Sequence, residues 1–300
     1  MATLPNVSWI GAGRMGVPMA GFILKAGYPV TVYSRSAVSR QKLVAHGAKE
    51  AANVAECVRG ADVVFCSLPD DRALREVALG PQGVLANARR GAIFVDTSTV
   101  STEISGDIDR EAAQRGIPYL RIPISGNAAS AQKGEVTALV SGPEDAWKTV
   151  KPIVEAFSKG QVYMGAGEQA RYMKLVVNLI VVNLAQSIAE ALALGRKAGL
   201  DWNLMLDTIA QSTVASPWVK IKASLLKQRD FTPTMTTRLI LKDIDLMLAE
   251  ARAMDVSTPL TAMVRQIMQA LIGEGYGDAD YMAVVKHAEK QSGLSTEKID

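Results

Sequence analysis

The chain has 300 residues, 48% of them hydrophobic, and a formal net charge of +3. This length and composition predict a globular protein of about two domains. Lys and Arg (33) nearly balance Asp and Glu (30) without a dense basic run, which argues against nucleic acid as a partner. Cys57 and Cys66 form no C-x-x-C pair and His46 and His287 lie far apart, so we expect no metal site and interpret both histidines as structural or solvent-facing.

Up to about residue 164, short β-branched runs alternate with amphipathic stretches. The predicted strands are 7–10, 30–33, 63–66, 93–95, 119–122 and 137–140. Such alternation predicts a mostly parallel sheet that is covered by helices.

Downstream of residues 165–167 the pattern changes. Helical periodicity over residues 168–198 continues into further helical segments with little strand signal. We therefore predict an α/β domain over residues 1–164 and an all-helical domain over residues 165–300, joined by a long helix. A helix of roughly thirty residues needs other helices along most of its length, so a homodimer or homotetramer is expected.

Two segments bear on membranes and on location. The apolar stretch 175–185 contains Asn178 and Asn183 and follows Lys174, so it is too short and too polar to span a bilayer and should be a buried helix. Residues 1–5 lead into a short apolar run with neither the charged region nor the cleavage pattern of a signal peptide. The expected location is the cytoplasm, without a membrane partner.

The first predicted strand is followed, before an amphipathic stretch, by the glycine-rich turn Gly11-Ala12-Gly13-Arg14-Met15-Gly16. Gly11 permits the tight turn, Gly13 lets a pyrophosphate approach the backbone, and Gly16 lets helix and strand pack closely. This strand-turn-helix context predicts a Rossmann-type domain that binds a dinucleotide through these six residues. The alternative is that the glycines only close a tight turn.

The second strand ends in Ser34-Arg35-Ser36, where an NAD enzyme usually has an acidic residue that binds the ribose 2′-hydroxyl. Arg35, with Arg40 further on, is better suited to a 2′-phosphate, because a guanidinium group engages phosphate oxygens in a fork. NADP(H) is therefore the preferred cofactor. NAD(H) stays open, because an exposed arginine at a strand end is often only a solvated charge.

Two later strands end in Ser67-Leu68-Pro69 and in Thr97-Ser98-Thr99. Ligands of parallel sheets lie beyond the carboxyl ends of the strands, which favours contact with the cofactor. Ser, Thr and Pro are equally favoured in caps and turns without any ligand.

Lys174 and Asn178 are four residues apart, so on a helix their side chains lie on one face, one turn apart. Apolar neighbours on both sides should remove water from the lysine amine, which disfavours its charged form and suits general acid–base catalysis. The alternative is a snorkelling lysine beside an asparagine that packs between helices.

The chain resembles the β-hydroxyacid dehydrogenases, which include 3-hydroxyisobutyrate dehydrogenase and the tartronate, glyoxylate and succinic semialdehyde reductases, over essentially its whole length. Four motifs occur in that family's order: the glycine loop with its Met-Gly ending, Pro123-Ile124-Ser125-Gly126, the segment from Gly167 to Lys174 with Asn178, and Leu241-Lys242-Asp243.

This resemblance implies an NAD(P)-dependent dehydrogenase or reductase that acts on a small β-hydroxyacid or its semialdehyde. The cofactor contacts that it implies are Thr99, Lys242 and the turn 67–69. Ser125 and Gly126 would hold the substrate carboxylate, Lys174 would transfer the hydroxyl proton, and Asn178 would position the substrate.

The chain also departs from the family pattern. Arg121-Ile122-Pro123-Ile124 replaces the usual Asp-Ala-Pro-Val, and Tyr281 stands where serine is common. Asn127 replaces a second glycine and adds two hydrogen-bonding functions where a carboxylate usually meets bare backbone. We include Asn127 in the predicted substrate site and carry over no named substrate.

Two other functions stay open, namely an imine reductase of the same fold and a non-catalytic dinucleotide-binding protein. Lys174 argues against the first, because imine reductases typically replace the catalytic lysine. The joint presence of Ser125, Lys174 and Asn178 argues against the second, which the fold alone could not do.

Overall fold

The computed structural model describes residues 4–297 and divides the chain into two compact units, Met1–Leu175 and Val176–Asp300. The division falls inside a long helix, after the predicted limit at residue 164. Residues 1–3 and 298–300, which the predicted domain ranges and the N-terminal expectation include, lie outside the described residues.

The first unit is built on two sheets. Its strands are β1 (Val7–Ile10), β2 (Val30–Tyr33), β3 (Lys49–Glu50), β4 (Val63–Cys66), β5 (Ile93–Asp96), β6 (Tyr119–Arg121), β7 (Ile124–Ser125), β8 (Val136–Val140) and β9 (Ser158–Tyr163). Six strands form a parallel sheet in the order β3-β2-β1-β4-β5-β6. The last predicted strand, β8, lies instead in a small sheet, antiparallel to β7 and parallel to β9.

Helices cover this sheet. They are α1 (Gly16–Lys25), α2 (Ala37–Val44), α3 (Val54–Val58), α4 (Asp71–Leu79), α5 (Val84–Asn87), α6 (Thr102–Arg115), α7 (Ala128–Gln132) and α8 (Glu144–Glu155). Strands β1, β4 and β5 are buried on both faces, as expected of a covered parallel sheet. Trp9 and Phe65 stack at 5.3 Å in the core on one face, while Ile10 and Cys66 belong to the core on the other.

The strand order reverses next to β1, because the chain first builds β2 and β3 on one side and then β4, β5 and β6 on the other. In open α/β sheets a ligand crevice lies at this reversal, beyond the carboxyl ends of the strands. The predicted Rossmann-type fold is confirmed, and it places the glycine turn after β1 at the crevice.

The second unit is helical. After α9 (Gln169–Lys197), which starts in the first unit, come α10 (Trp202–Gln211), α11 (Pro217–Lys227), α12 (Thr237–Ala253), α13 (Pro259–Leu271) and α14 (Val284–Gln291). A π-helical turn, Ile272–Tyr276, and a 3-10 turn, Tyr281–Ala283, connect the last two helices. A single core cluster includes Val182, Leu206, Ile240, Val264 and Val285.

Helix α9 is long and apolar enough to cross a bilayer by length and composition. The core helix of a water-soluble protein passes the same test, so this feature alone is weak evidence for a membrane span. Several of its apolar side chains are buried, including Val182, Ala185 and Leu192, whereas Val176 and Ile180 are exposed.

Candidate active site

The glycine turn has the geometry of a dinucleotide-binding loop. Gly11 has a φ of +97°, and a Cβ there would collide with the carbonyl oxygen of Ser67. A Cβ at Gly16 would collide with the Gly11 carbonyl oxygen, whereas a Cβ at Gly13 would meet no heavy atom within 4 Å. The packing of the protein itself thus requires two of the glycines, and the space beside the third is open.

The start of α1 is suited to an anion. No side chain caps this helix, and its first turn contains no acidic residue, so the backbone N–H groups and the helix dipole are not offset by a carboxylate. Within the loop, Ala12 is buried, Met15 half-buried and Arg14 exposed.

The end of β2 presents one exposed arginine. Ser36 caps α2 by accepting the N–H of Ser39, and Arg40 donates to the Ser34 carbonyl oxygen while its Nε pairs with Glu50 at 2.6 Å. Arg35 is exposed, and the structure shows no partner for its guanidinium group among residues 4–297. Arg40 therefore holds the loop, and Arg35 is the cation that stays available to a ligand.

The turns after β4 and β5 are bonded to each other. The Ser98 hydroxyl accepts the N–H of Leu68 at 2.9 Å, and the Thr97 hydroxyl donates to the Cys66 carbonyl oxygen at 2.8 Å. Thr97 and Ser98 are buried and Thr99 is half-buried. The structure thus brings the predicted cofactor turns 67–69 and 97–99 together beside Gly11.

Asp96, at the end of β5, is a buried acid that the sequence did not single out. Its carboxylate accepts the N–H of Ser98 at 2.9 Å and the thiol of Cys66 at 3.1 Å. Arg171, in the first turns of α9, donates to Asp96 at 2.5 Å, to the Ser98 carbonyl oxygen at 2.9 Å and to the Tyr119 hydroxyl oxygen at 2.7 Å.

This cluster is shielded from solvent. The Arg171 side chain is 1% exposed and Asp96 is 0% exposed. Burial alone would lower the pKa of Arg171, but the acidic groups around it, including Asp96, raise it, so the guanidinium stays charged. Burial raises the pKa of the Tyr119 hydroxyl, and burial followed by the Asp96 charge raises that of the Cys66 thiol, so both stay neutral.

Arg121, the departure before the substrate loop, has a structural partner. Its Nε donates to Glu168 at 2.7 Å and to the Ser105 hydroxyl at 3.2 Å, and its guanidinium carbon lies 4.7 Å from the centre of the Tyr119 ring. Glu168 directly precedes α9. The arginine at this position therefore ties β6 and α6 to the residue before the predicted catalytic helix.

The predicted substrate loop forms a sharp turn after β7. Gly126 has a φ of +145°, and a Cβ there would lie 2.7 Å from the Ser130 hydroxyl oxygen. The Asn127 side-chain oxygen accepts the N–H of Ser130 at 3.0 Å, and the Ser130 hydroxyl accepts the N–H of Asn127 at 2.8 Å, which is a reciprocal capping box for α7. Ser125 is half-buried at the end of the strand.

Lys174 and Asn178 lie one turn apart on α9, and both are buried, with 8% and 7% of their surface exposed. In the helical unit, Asn178 donates through Nδ2 to the Asp243 carboxylate at 2.9 Å, and Lys242 pairs with the same carboxylate at 2.8 Å. Asp243 is 2% exposed. It lay in the motif quoted from the sequence but was not named as a site residue, and the structure shows that it orients the Asn178 amide.

The C-terminal segment around Tyr281 is held in place by hydrogen bonds to other parts of the helical unit. Asp280 accepts hydrogen bonds from Lys222 at 2.8 Å and from the backbone and hydroxyl of Thr234. The Tyr281 hydroxyl accepts the indole N–H of Trp218 at 2.9 Å, and its ring lies under the Lys222 ammonium. Tyrosine at this position therefore binds groups that a serine would not reach.

Among the described residues there is no cluster of three or more His, Cys, Asp or Glu side chains that could hold a metal ion. His46 contacts the carbonyl oxygen of Lys42, and His287 lies 3.2 Å from Glu274.

Comparison with known proteins gives matches along most of the chain. Residues 6–166 match the family model of the NAD-binding domain of 6-phosphogluconate dehydrogenase. Residues 165–288 match that of the NAD-binding domain of NADP-dependent 3-hydroxyisobutyrate dehydrogenase.

Individual proteins agree with these matches. A 2-(hydroxymethyl)glutarate dehydrogenase from Eubacterium barkeri is 32% identical over 97% of both chains. The crystal structure of 3-hydroxyisobutyrate dehydrogenase from Salmonella typhimurium superposes with a TM-score of 0.87 at 25% identity, covering 94% of this chain and 99% of the other. An imine reductase from Pseudomonas sp. has a TM-score of 0.60 at 20% identity, covering 94% and 99%, a likeness that shows the fold alone.

Proposed function

Because the chain belongs to the β-hydroxyacid dehydrogenase family of nicotinamide-dependent oxidoreductases, we propose that it transfers a hydride between NADP(H) and a small β-hydroxyacid or its semialdehyde. The observation that carries the proposal is the buried pair of Lys174 and Asn178 on one face of α9, with the Asn178 amide oriented by Asp243. A buried amine beside an oriented amide is suited to proton transfer to or from a hydroxyl group.

The residues present fit a dinucleotide. The open space at Gly13 and the uncapped start of α1 suit the pyrophosphate, and the bonded turns 67–69 and 97–99 suit the rest of the cofactor. We also assign Thr99 and Lys242 to the cofactor, because the family resemblance implies that these two residues contact it. When bound, the nicotinamide ring supplies the hydride acceptor or donor.

The protein residues perform the remaining steps. Ser125 donates its hydroxyl hydrogen, and Gly126 its backbone N–H, to the substrate carboxylate. Asn127 is bound to α7 through its side-chain oxygen, so it meets the substrate with its amide N–H₂. Lys174 accepts the hydroxyl proton during oxidation and donates it during reduction, while Asn178 holds the reacting oxygen without titrating.

Preference for NADP(H) rests on Arg35, the exposed cation after β2, and on the absence of an acid in Ser34-Arg35-Ser36. A guanidinium fork adds attraction for the 2′-phosphate and none for a 2′-hydroxyl. Arg35→Gln should therefore raise the KM for NADPH about tenfold or more and leave the KM for NADH within about twofold. Wild-type catalytic efficiency that is higher with NADH would contradict the preference.

A homodimer or homotetramer fits the exposed apolar surface of the helical unit. Ile180 and Leu194 on α9 and Leu260 and Met263 on α13 are each more than half exposed. A second copy of the chain would remove this surface from water. Cytoplasmic location is consistent with the two free, buried cysteines, as is usual in a reducing compartment.

The decisive test is a turnover screen by cofactor absorbance with NADPH and NADH. The panel contains glyoxylate, succinic semialdehyde, methylmalonate and tartronate semialdehydes and a cyclic imine, with 3-hydroxyacids for the oxidised cofactors. Turnover of a short carboxylated aldehyde or hydroxyacid is the expected result. Turnover of the imine alone would indicate an imine reductase, and cofactor binding without any turnover would indicate a non-catalytic protein.

Lys174→Ala tests the proton-transfer residue. We expect turnover to fall by about 10²–10⁴, as for a removed general acid–base group, with NADPH binding retained. Lys197→Ala, an exposed lysine at the end of the same helix, is the matched control and should keep wild-type turnover. Retained activity of Lys174→Ala would exclude the assigned role.

A further inference from the structure

A continuous set of hydrogen bonds joins the turns after β4 and β5 to the start of α9, all within the first unit. Leu68 is bound to the Ser98 hydroxyl, the Ser98 carbonyl oxygen is bound to Arg171, and Arg171 also holds Asp96 at the end of β5. The path therefore starts at the residues proposed to hold the cofactor. It ends three residues before Lys174, on the helix that carries it.

The ion pair of Arg171 and Asp96 is unlike one that serves only to stabilise the fold. Both charges are shielded from water, and desolvation of two charges offsets much of their mutual attraction, so an apolar pair of similar volume often stabilises a protein as well. A planar guanidinium group that donates to three acceptors supplies direction instead, because it fixes both the distance and the rotation of the groups that it joins.

We propose that Arg171 is a positioning residue that sets the position of Lys174 relative to the cofactor turns. Residues three apart on a helix are neighbours on its surface, so a shift of the Arg171 turn shifts the Lys174 turn with it. The inference rests on the proposed function, since Arg171 acts on the proton transfer that Lys174 performs.

A second arginine holds the same helix end from another side. Arg121 on β6 binds Glu168, and the Ser105 hydroxyl on α6 donates to the same carboxylate at 3.0 Å. Glu168 is also the backbone acceptor for the N–H of Arg171 at 2.9 Å. The first turn of α9 is thereby bound to β5 through Arg171 and to β6 and α6 through Glu168.

The kinetic test uses Arg171→Lys, which keeps the charge and removes the fork. We expect kcat to fall about 10- to 100-fold, because misplacement of a reacting group by about 1 Å can cost that much. The KM for substrate, the Kd for NADPH and the melting temperature should stay close to wild type. Arg229→Gln, which removes a different arginine from the fully buried Glu289, controls for loss of a buried ion pair and should keep kcat.

The double variant Asp96→Asn with Arg171→Gln removes both charges without leaving one of them unpaired. If it folds with wild-type cofactor affinity and a reduced kcat, the positioning role is supported. A kcat within twofold of wild type in Arg171→Lys and in the double variant would overturn it.

Amide hydrogen exchange provides a readout that needs no turnover. In wild type, bound NADPH should slow exchange in residues 169–175 as well as in the turns 67–69 and 97–99. In Arg171→Lys the protection of the turns should persist and that of residues 169–175 should be lost. Equal protection of residues 169–175 in both proteins would overturn the inference, whereas a wild type without turnover would contradict only the proposed function.

Discussion

At the scale of single residues, the buried carboxylate of Asp243 determines how the Asn178 amide is oriented. Asn178 can bind an acceptor through its nitrogen or a donor through its oxygen. One N–H of Nδ2 is bound to Asp243, so in the proposed mechanism the second N–H is available to donate to the reacting oxygen, whose own proton passes to Lys174. The orientation of one amide thus depends on an acid on another helix, α12.

We predict that Asp243→Asn lowers kcat about 10- to 100-fold, because the new amide has a single acceptor oxygen, for which Lys242 competes, and the Asn178 amide is then no longer held in one orientation. Asp245→Asn is the matched control. Asp245 lies two residues further on the same helix and pairs with Arg265 at the surface, where an ion pair contributes about 0–1 kcal/mol, so kcat should not change. Steady-state kinetics with a saturating cofactor checks both variants, and equal activity of Asp243→Asn and wild type would refute the assigned orientation.

At the scale of elements, the start of α7 shows how one side chain, Asn127, can both cap a helix and lie in a predicted ligand site. Asn127 caps this helix and also stands in the predicted substrate loop. Asp accepts the same N–H as Asn, so Asn127→Asp keeps the cap, whereas Asn127→Ala removes it at a cost of about 1 kcal/mol. The two substitutions therefore separate stability from substrate binding.

We predict that Asn127→Asp keeps the melting temperature of wild type and raises the KM for a carboxylated substrate at least tenfold, because like charges repel each other when they are close. Asn53→Asp is the control, since Asn53 caps α3 in the same way by accepting the N–H of Glu56. It should leave both the melting temperature and KM unchanged. An unchanged KM in Asn127→Asp would confine Asn127 to its capping role.

Elements also differ in how far the sequence could reveal them. Strands β1, β4 and β5 are predictable because a strand buried on both faces is a continuous apolar run. The two residues of β3 are exposed, and β9 begins Ser158-Lys159-Gly160-Gln161, without apolar alternation. These segments are strands because neighbouring strands offer them hydrogen-bond partners, a tertiary effect that local pattern does not contain.

The candidate site, like the strands, has parts that the sequence could reveal and parts that it could not. Its glycine turn, its strand ends and the Lys174 face could be predicted, because each is a local motif with a fixed place on a strand or helix. The bond between Asp96 and Arg171 joins residues 75 positions apart. In the sequence, neither Asp96 nor Arg171 differs from an ordinary surface charge. Only the fold shows that they form one buried pair.

At the scale of the whole molecule, the helical unit presents an apolar surface that its own core does not use. The Asn183 amide donates to the Thr261 hydroxyl at 3.1 Å, which places α9 beside α13. The exposed side chains Ile180 and Leu194 on α9 and Met263 on α13 belong to these adjacent helices. Scattered exposed apolar residues are ordinary, but a set on two adjacent helices is typical of an interaction surface.

We therefore predict that the protein is an oligomer and that the substitution Met263→Glu on α13 dissociates it. A buried and unpaired carboxylate at an interface is costly, whereas the same residue on a free surface is well solvated. Val38→Glu is the control, because Val38 is 74% exposed, compared with 63% for Met263, but lies on α2 in the first unit. Light scattering should give a multiple of the 32.0 kDa chain mass for wild type and Val38→Glu, and a lower mass for Met263→Glu. A monomeric wild type at assay concentration would exclude assembly, and an unchanged mass of Met263→Glu would place the interface elsewhere.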